Sequence, residues 1–183
     1  KADLHHPLSE KILSREDNYK DFREWGFDIF VLDKEDLGLF TATVFAYTGL
    51  SRAFGISMQT FAHFMSSVSF YMSRNPRVCY HNLYHAVDVM HACSLMISRM
   101  GVRGLLTELE ELALLLAGLC HDLDHPGLNN KYQVATSSPL ALRYNDHAPL
   151  EHHHLSIAFQ IMRRERCNIL GHLDPEQKVI HIT

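Results

Sequence analysis

Two short stretches carry residue types that bind metal ions in proteins. Residues 80–85 read Tyr-His-Asn-Leu-Tyr-His and place His81 and His85 four positions apart. On a helix this spacing puts both imidazoles on one face, one turn apart. Residues 121–127 read His-Asp-Leu-Asp-His-Pro-Gly and follow the most apolar run of the chain. Because divalent metals take imidazole and carboxylate ligands, the two stretches predict a metal centre between two helices.

The position of His121 and Asp122 strengthens this prediction. Both residues end an apolar segment, where an ionisable side chain is costly unless it is paired or bound to a metal. The Asp122 carboxylate has two oxygens and could bridge two metal ions about 3.5–4 Å apart, a spacing that suits phosphoryl chemistry. The second ring nitrogen of a metal-bound histidine needs a partner, and Asp88 and Asp124 are candidates.

Other metal chemistries need residues that the sequence lacks. A zinc protease carries Glu directly after the first His of His-x3-His, where this chain has Asn82. A di-iron carboxylate bundle needs two Glu-x-x-His motifs, and only residues 151–154 supply one. The sequence also shows no serine nucleophile elbow, phosphate-binding glycine loop or dinucleotide fingerprint. Metal-assisted hydrolysis therefore remains as the favoured class of reaction.

The elements that must position these residues read as helices. Turn signals separate segments of helical length, and little of the chain alternates with period two, so we expect an all-α protein. Long helices are predicted over residues 36–50, 57–74, 80–100, 107–120 and 149–166, with shorter ones near 131–135, 138–144 and from 174 onward.

Three further expectations concern how these helices pack. Thr107 and Glu110 form a predicted capping box for the fourth long helix. That helix has polar residues only in its first turn and should be buried on all sides. Residues 1–35 are expected to be a lead-in with short helices whose aromatic residues pack on the body of the domain, which spans residues 36–183.

Composition and charge limit the classes of binding partner and the cellular location that we expect for the protein. With 183 residues and a formal net charge of −4, the chain gives no reason to expect nucleic acid or an anionic membrane as partner. The longest apolar run, Leu112–Cys120, is too short to cross a bilayer, so no transmembrane segment is predicted. The four cysteines show no Cys-x2-Cys spacing, which argues against a structural zinc knuckle and favours reduced thiols in the cytoplasm.

Three motifs together resemble those of the class I 3',5'-cyclic-nucleotide phosphodiesterases, within the wider HD-domain metal hydrolases. They are Tyr-His-Asn-x-x-His-Ala-x-Asp-Val from residue 80, His-Asp-Leu-Asp-His-Pro-Gly-x-Asn-Asn from residue 121 and Leu-Glu-x-His-His from residue 150. The resemblance runs from about residue 25 to residue 167. Residues 129–133 and 167–169 look most like the high-affinity cGMP-selective subfamily. The resemblance implies a multi-helix HD-domain-like catalytic fold and hydrolysis of cGMP, cAMP or both to the nucleoside 5'-monophosphate, which ends a cyclic-nucleotide signal.

The resemblance also implies roles at the metal centre. His81 matches the general acid that protonates the departing ribose O3'. His85, His121 and Asp122 match ligands of a first metal, expected to be Zn²⁺. Asp122 also matches the carboxylate that reaches a second metal, expected to be Mg²⁺ or Mn²⁺ and otherwise held mostly by water.

Further residues are expected to support this centre. His125 and Glu151 match groups that hold the metal-bound waters, and Tyr80 and Asn130 match positions at the cyclic-nucleotide pocket. The adjacent histidines of the third motif, residues 153 and 154, are expected to pack the helix or support the site rather than to bind metal directly.

The family's pattern continues past Thr183, where a fourth ligand of the first metal, a purine-binding glutamine and an aromatic clamp are expected. We therefore expect this chain to be the N-terminal portion of a catalytic domain, truncated on its C-terminal side. The loss of one ligand should weaken metal binding, so the parent protein is expected to be an enzyme while the fragment alone need not be active. Apolar surface on the helix over residues 112–120 would then be exposed, which leaves a homodimer open.

Two other functions stay open at this point. The chain could belong to another HD-type phosphohydrolase acting on nucleotides or phosphate esters, although such an enzyme has no reason to keep Tyr-His-Asn before His85. It could also be a truncated, catalytically inert isoform that acts as a helical interaction module. Metal binding would favour a hydrolase, whereas a protein partner without bound metal would favour the interaction module.

Overall fold

The computed structural model describes residues 21–100 and 104–174, which form eight α-helices and two 3₁₀ turns. The helices are α1 Leu37–Thr48, α2 Leu50–Ala53, α3 Met58–Met72, α4 Leu83–Arg99, α5 Glu108–Cys120, α6 Asn130–Ala135, α7 Pro139–Arg143 and α8 Pro149–Met162. The 3₁₀ turns are Ile29–Val31 and Glu165–Cys167. No β-strand occurs in the described residues, so the all-α prediction is confirmed.

Side-chain caps fix where the helices begin. Ser57, Asn82, Thr107, Asn129 and Ser138 each precede a helix and accept a hydrogen bond from a backbone N–H of its first turn. These bonds satisfy N–H groups that have no partner within the helix. The predicted capping box at the start of α5 is confirmed, because the Thr107 and Glu110 side chains each accept from the other residue's backbone N–H.

Some predicted boundaries are wrong. The helix predicted over residues 36–50 stops at Thr48, because Gly49 adopts a left-handed conformation with φ of 86° and separates α1 from α2. The helix predicted to continue to residue 166 ends at Met162, and a 3₁₀ turn follows. The helix predicted from residue 174 onward falls outside the described residues.

The prediction that α5 is buried on all sides is also wrong. Leu112, Leu115 and Leu119 are buried in the core, whereas Leu114 is 37% exposed and Ala117 is exposed as well. An apolar groove of about 150 Å³ lies between α5 and α8, and its lining includes Leu112 and Leu155. The expected exposed apolar surface is therefore present beside α5.

The lead-in packs on the body through part of its aromatic cluster. The Phe27 ring stacks on Phe40 of α1 at a centroid distance of 5.2 Å, and Phe22 meets Phe40 edge-on. Trp25 and Phe30 are more than half exposed, so only part of the predicted packing is confirmed. Across residues 21–100 and 104–174, none of the helices combines the length and hydrophobicity that a membrane span requires.

Candidate metal centre

The predicted ligands come together where one helix begins and another ends. His85 lies in the first turn of α4, and His121 directly follows the last residue of α5. The two helices pack along their lengths, and Gly118 of α5 lies so close that a Cβ there would be 3.1 Å from the Cα of Met90 on α4. This close approach brings the end of α5 to the start of α4.

The ligand atoms converge within hydrogen-bonding distance of one another. His85 Nε2 lies 3.2 Å from both His121 Nε2 and Asp122 Oδ2, and His121 Nε2 lies 3.0 Å from the same oxygen. These two nitrogens and one oxygen are a donor set that Zn²⁺ binds commonly in proteins. The structure therefore brings together the three residues predicted to hold the first metal.

The orientation of His121 suits a metal ligand. Its Nδ1–H donates to the backbone carbonyl of Gly118 at 2.8 Å, so Nε2 faces Asp122 and can offer its lone pair to a metal when it carries no proton. The prediction that Asp88 or Asp124 would hold a metal-binding ring is wrong for His121. Asp88 is exposed, and Asp124 accepts a hydrogen bond from His153 instead.

The electrostatics of the cluster favour an ionised Asp122. Burial opposes ionisation of this carboxyl, but the hydrogen bond from His121 and the charges of neighbouring histidines lower its pKa to about 2. Burial also lowers the pKa of His85 and keeps that ring neutral, helped by repulsion from His121. The hydrogen bond to Asp122 raises the pKa of His121, so a cation at this site competes with a proton for the ring.

The predicted placement of His81 on the helix is wrong, although His81 does lie at the site. The α4 helix begins at Leu83, and Asn82 is its extended N-cap residue, so His81 precedes the helix. The Asn82 side chain accepts from the backbone N–H groups of Tyr84 and His85 and donates to the carbonyl of Cys79 at 2.7 Å. His81 Nε2 thereby comes within 3.9 Å of Asp122 Oδ2, beside the ligands.

His125 stacks on His81 with ring centroids 3.8 Å apart and an angle of 16° between the planes. Burial and nearby charge lower the pKa of His125 to about 4, so the ring is neutral near pH 7. Its Nδ1 accepts from the N–H of Gly127 at 2.9 Å, which leaves the proton on Nε2. His81, Asp122 and His125 also lie close enough to form a second metal-binding group. The protonated Nε2 makes His125 better suited to donate to a water or a phosphate oxygen than to bind metal directly.

Glu151 and Asn130 form a pair beside the cluster. Asn130 Nδ2 donates to Glu151 Oε2 at 2.8 Å, and Asn130 Oδ1 accepts from the N–H of Leu150 in the first turn of α8. The hydrogen bond from Asn130 lowers the pKa of Glu151. Asn130 therefore ties α6 to the start of α8, and its expected contact with substrate, like the expected role of Glu151, stays a prediction.

Tyr80 lies at the open side of the cluster. Its side chain is 66% exposed, and its ring contacts His85 at a centroid distance of 4.6 Å and His81 at 5.1 Å. A large exposed aromatic ring beside the ligands offers a surface on which a flat ligand group can stack. The contact of Tyr80 with substrate stays a prediction.

Sequence reasoning missed several residues that position the site. Asn82 counted only as the absence of a protease glutamate, although an Asn before an amphipathic segment is an N-cap signal. Arg74 was not singled out, and nothing in the sequence indicates that its Nη1 lies 2.9 Å from Asp124 Oδ2, fifty residues away. The contact between His153 Nε2 and Asp124 Oδ2 depends equally on the tertiary fold.

Comparison with known proteins identifies relatives of this fold and site. Residues 80–183 match the model of the 3'5'-cyclic nucleotide phosphodiesterase family. The chain is 37% identical over 153 residues to the 3',5'-cyclic-nucleotide phosphodiesterase regA of Dictyostelium discoideum, covering 84% of this chain and 19% of that protein. It is also 34% identical over 170 residues to the mouse high affinity cGMP-specific 3',5'-cyclic phosphodiesterase 9A, covering 93% of this chain and 31% of the relative. The chain thus spans a fifth to a third of these relatives' length.

Solved structures give the same result for the fold. The phosphodiesterase domain of the RhoPDE fusion protein from the choanoflagellate Salpingoeca rosetta superposes with a TM-score of 0.81 at 34% identity, over 93% of this chain and 51% of that domain's chain. The rat 3',5'-cyclic-AMP phosphodiesterase 4C is as identical to this chain, at 34%, as the mouse cGMP-specific relative. Overall similarity therefore does not favour one purine, and the resemblance to the cGMP-selective subfamily stays a prediction.

Proposed function

The chain belongs to the 3',5'-cyclic nucleotide phosphodiesterase family, and from that premise we propose that its protein hydrolyses a 3',5'-cyclic nucleotide to the nucleoside 5'-monophosphate with the aid of divalent metals. The convergence of His85, His121 and Asp122 on one point carries the proposal. All three belong to motifs of the family, and their free nitrogens and oxygen suit a cation of the size and charge of Zn²⁺.

Hydrolysis of the cyclic diester breaks the bond between phosphorus and O3' and forms one from phosphorus to the oxygen of water. Divalent cations supply the nucleophile from water and neutralise charge on the phosphoryl oxygens. The departing O3' needs a proton, and we assign that proton to His81, beside the ligands and outside the ligand set. The stacked His125 ring holds the His81 ring in place, and His81 Nε2 lies 3.9 Å from Asp122 Oδ2.

The identities of the metals, the location and the oligomeric state are further parts of this proposal. Two imidazoles and a carboxylate suit Zn²⁺ at the first position, while a carboxylate oxygen completed by waters suits Mg²⁺ or Mn²⁺ at the second. All four cysteines are free, which supports a reducing compartment such as the cytoplasm. Apolar surface along the groove between α5 and α8 supports a homodimer.

Two substitutions test the proposal by separating chemistry from metal binding. His81→Ala should lower kcat for cAMP or cGMP about 10²- to 10⁴-fold and leave the bound zinc unchanged, because His81 donates a proton and holds no metal. Asp122→Ala should lose both activity and metal. His147→Ala, which removes an exposed imidazole outside the cluster, is the control and should change neither.

The measurements are turnover with each cyclic nucleotide and metal content by mass spectrometry, on protein loaded with Zn²⁺ and Mg²⁺. Equal losses of turnover and zinc in His81→Ala would refute the role of His81 as an acid and make it a ligand. A full-length wild-type protein that takes up no metal and hydrolyses neither nucleotide would refute the proposal and favour an interaction module.

A further inference from the structure

The turn of residues 121–125, which carries His121 and Asp122, is also held by residues outside the proposed ligand set. Asp122 points to His85 and His121, whereas Asp124, two residues later, accepts two hydrogen bonds through one oxygen. These come from Arg74 Nη1, which follows the end of α3, and from His153 Nε2 on α8, each at 2.9 Å. One carboxylate therefore joins the turn to two separate parts of the fold.

The backbone of the turn is held in the same way. His154 Nδ1 donates to the carbonyl of Leu123 at 2.6 Å, and the Leu123 side chain is fully buried in the core. Adjacent residues of α8 thus bind adjacent residues of the turn. Asp124 itself lies in the left-handed region with φ of 60°, a conformation that is less favourable for Asp than for Gly, so the contacts of the turn help to hold it.

We propose that Arg74, Asp124 and His153 form a latch that positions Asp122 and His121 for metal binding. The residues of the latch touch neither metal nor substrate, so they are positioning residues, and the inference rests on the proposed metal-dependent function. Metal–ligand distances in proteins lie within narrow limits, so a metal site is sensitive to the loss of groups that orient its ligands. Substitution of such supporting groups typically costs 10- to 100-fold in metal affinity.

The His153 side chain contributes one hydrogen bond to the latch. Its Nε2–H donates to Asp124, while its Nδ1 is buried without a hydrogen-bond partner in the described residues. If Asp124 is removed, Nε2 loses its partner as well, so neither ring nitrogen is hydrogen-bonded to the described residues although the side chain is only 9% exposed. The imidazole is then expected to move, and the start of α8 and the turn should move with it.

The test compares Asp124→Ala and Asp124→Asn with the same changes at Asp146. Asp146 is a close match because it is also an aspartate in the left-handed region, with φ of 62°, yet its side chain is exposed. Substitution at Asp146 therefore has the same cost of a left-handed backbone conformation but removes no contact of the latch. Asn keeps an acceptor oxygen and tolerates the left-handed region, so Asp124→Asn should lose less than Asp124→Ala.

The first measurement is titration of metal-free protein with Zn²⁺ by calorimetry and with Co²⁺ by its visible absorption, which reports ligand geometry. Asp124→Ala should weaken Zn²⁺ binding 10- to 100-fold and alter the Co²⁺ spectrum, and Asp124→Asn should have a smaller effect. Arg74→Ala should weaken binding in the same direction, and Arg74→Lys should restore part of the loss. Substitutions at Asp146 should leave affinity and spectrum unchanged.

The second measurement is hydrogen exchange of the backbone amides of Leu123 and His125, which donate within the turn to Cys120 and Asp122. Both should exchange faster in Asp124→Ala than in wild type, and neither should change in Asp146→Ala. Arg74 is half exposed, so Arg74→Ala provides the same readouts if Asp124→Ala does not fold.

The outcomes separate the two proposals. Folded Asp124 variants with wild-type affinity, Co²⁺ spectrum and exchange rates would overturn the latch while leaving the proposed function intact. A wild-type protein that binds neither metal would overturn the proposed function, and the exchange rates would then decide whether the latch holds the turn.

Discussion

Substitution of Gly127 by Ala should destabilise the protein and disturb the approach of His81 to the ligand turn. Gly127 lies two residues after His125, in the left-handed region with φ of 83°. A Cβ at this position would lie 2.9 Å from Cγ2 of Val78, two residues before Tyr80. The contact joins the turn after α5 to the segment that carries His81, so the methyl group should push these two parts of the site apart.

The magnitude follows from two separate costs. An L-residue in the left-handed region costs about 1–2 kcal/mol relative to Gly. The overlap with Val78 adds an overpacking cost of about 1–3 kcal/mol, and we expect the lower half of that range because Val78 is only half-buried and can shift. The free energy of unfolding should fall by about 2–4 kcal/mol, a large part of the 5–15 kcal/mol typical of a domain.

Gly49→Ala is the matched control for this prediction. Gly49 has φ of 86°, nearly the same as Gly127, and a Cβ there meets no atom within 4 Å. Gly49→Ala should therefore show the backbone cost alone, and the difference between the two variants measures the contact with Val78. Val78→Ala in the Gly127→Ala background should recover most of that difference, which a double-mutant cycle isolates.

Urea unfolding of wild type, the two glycine variants, Val78→Ala and the double variant gives the free energies, and turnover gives the effect on the site. Gly127→Ala should also lower kcat, because its N–H donates to His125 and His125 stacks on His81. Equal destabilisation by Gly127→Ala and Gly49→Ala, or no recovery with Val78→Ala, would refute the contact as the cause.

Two further predictions concern groups outside the site. Burial lowers the pKa of His91 below its usual 6.5, so the stability it contributes is present above about pH 6.5 and is lost as the pH falls toward its folded-state pKa. His91→Gln should therefore flatten the fall in Tm between about pH 7 and pH 5, and an unchanged slope would contradict this assignment. Burial raises the pKa of the Cys120 thiol to about 12, so a thiol reagent at neutral pH should label exposed Cys79 in the folded protein and Cys120 only after denaturation. Peptide mass spectrometry locates the label, and rapid labelling of folded Cys120 would count against its burial.

The sequence contains enough local information to predict most of the helices. Ser57, Thr107 and Ser138 are N-cap residue types ahead of apolar segments, and each caps a helix in the structure. The predicted helix over residues 36–50 runs through Gly49, because a glycine near a helix end is compatible with a helix that continues and with one that stops. The left-handed conformation of Gly49, with φ of 86°, decides between the two, because a glycine in this conformation commonly ends a helix.

The convergence of the proposed metal ligands was predictable because imidazole and carboxylate side chains are recognisable metal-binding types in the sequence. An imidazole or carboxylate next to an apolar segment is unusual enough to indicate a function, and His85, His121 and Asp122 do converge. The supporting contacts were not predictable in the same way. Arg74 and His153 carry side chains that are ordinary in any helical protein, and only the fold shows that both reach Asp124.

The placement of His81 shows how a correct motif can rest on an incorrect geometry. The His-x3-His spacing indicates one helical face, yet Asn82 caps the helix by accepting from its first N–H groups, so the helix begins after His81. The observed place of His81 before the helix suits the proposed chemistry better than the predicted place on the helix does. A histidine one turn from His85 on the same face would bind metal beside it, whereas a histidine on the preceding turn can face a leaving group.

The site is built from backbone groups that helix ends leave without partners. The carbonyl of Gly118 belongs to the last turn of α5, where it has no intrahelical donor, and it orients the His121 ring. The first N–H groups of α4 are taken by Asn82, whose own amide fixes the turn before His81. Because one terminus of each helix lies at the cluster, the proposed ligand His121 and the proposed acid His81 are held by helix termini rather than by helix interiors. A change of one residue in the length of α4 or α5 would therefore rotate the imidazole of His81 or His121 away from Asp122. All the proposed ligands would still be present in the sequence.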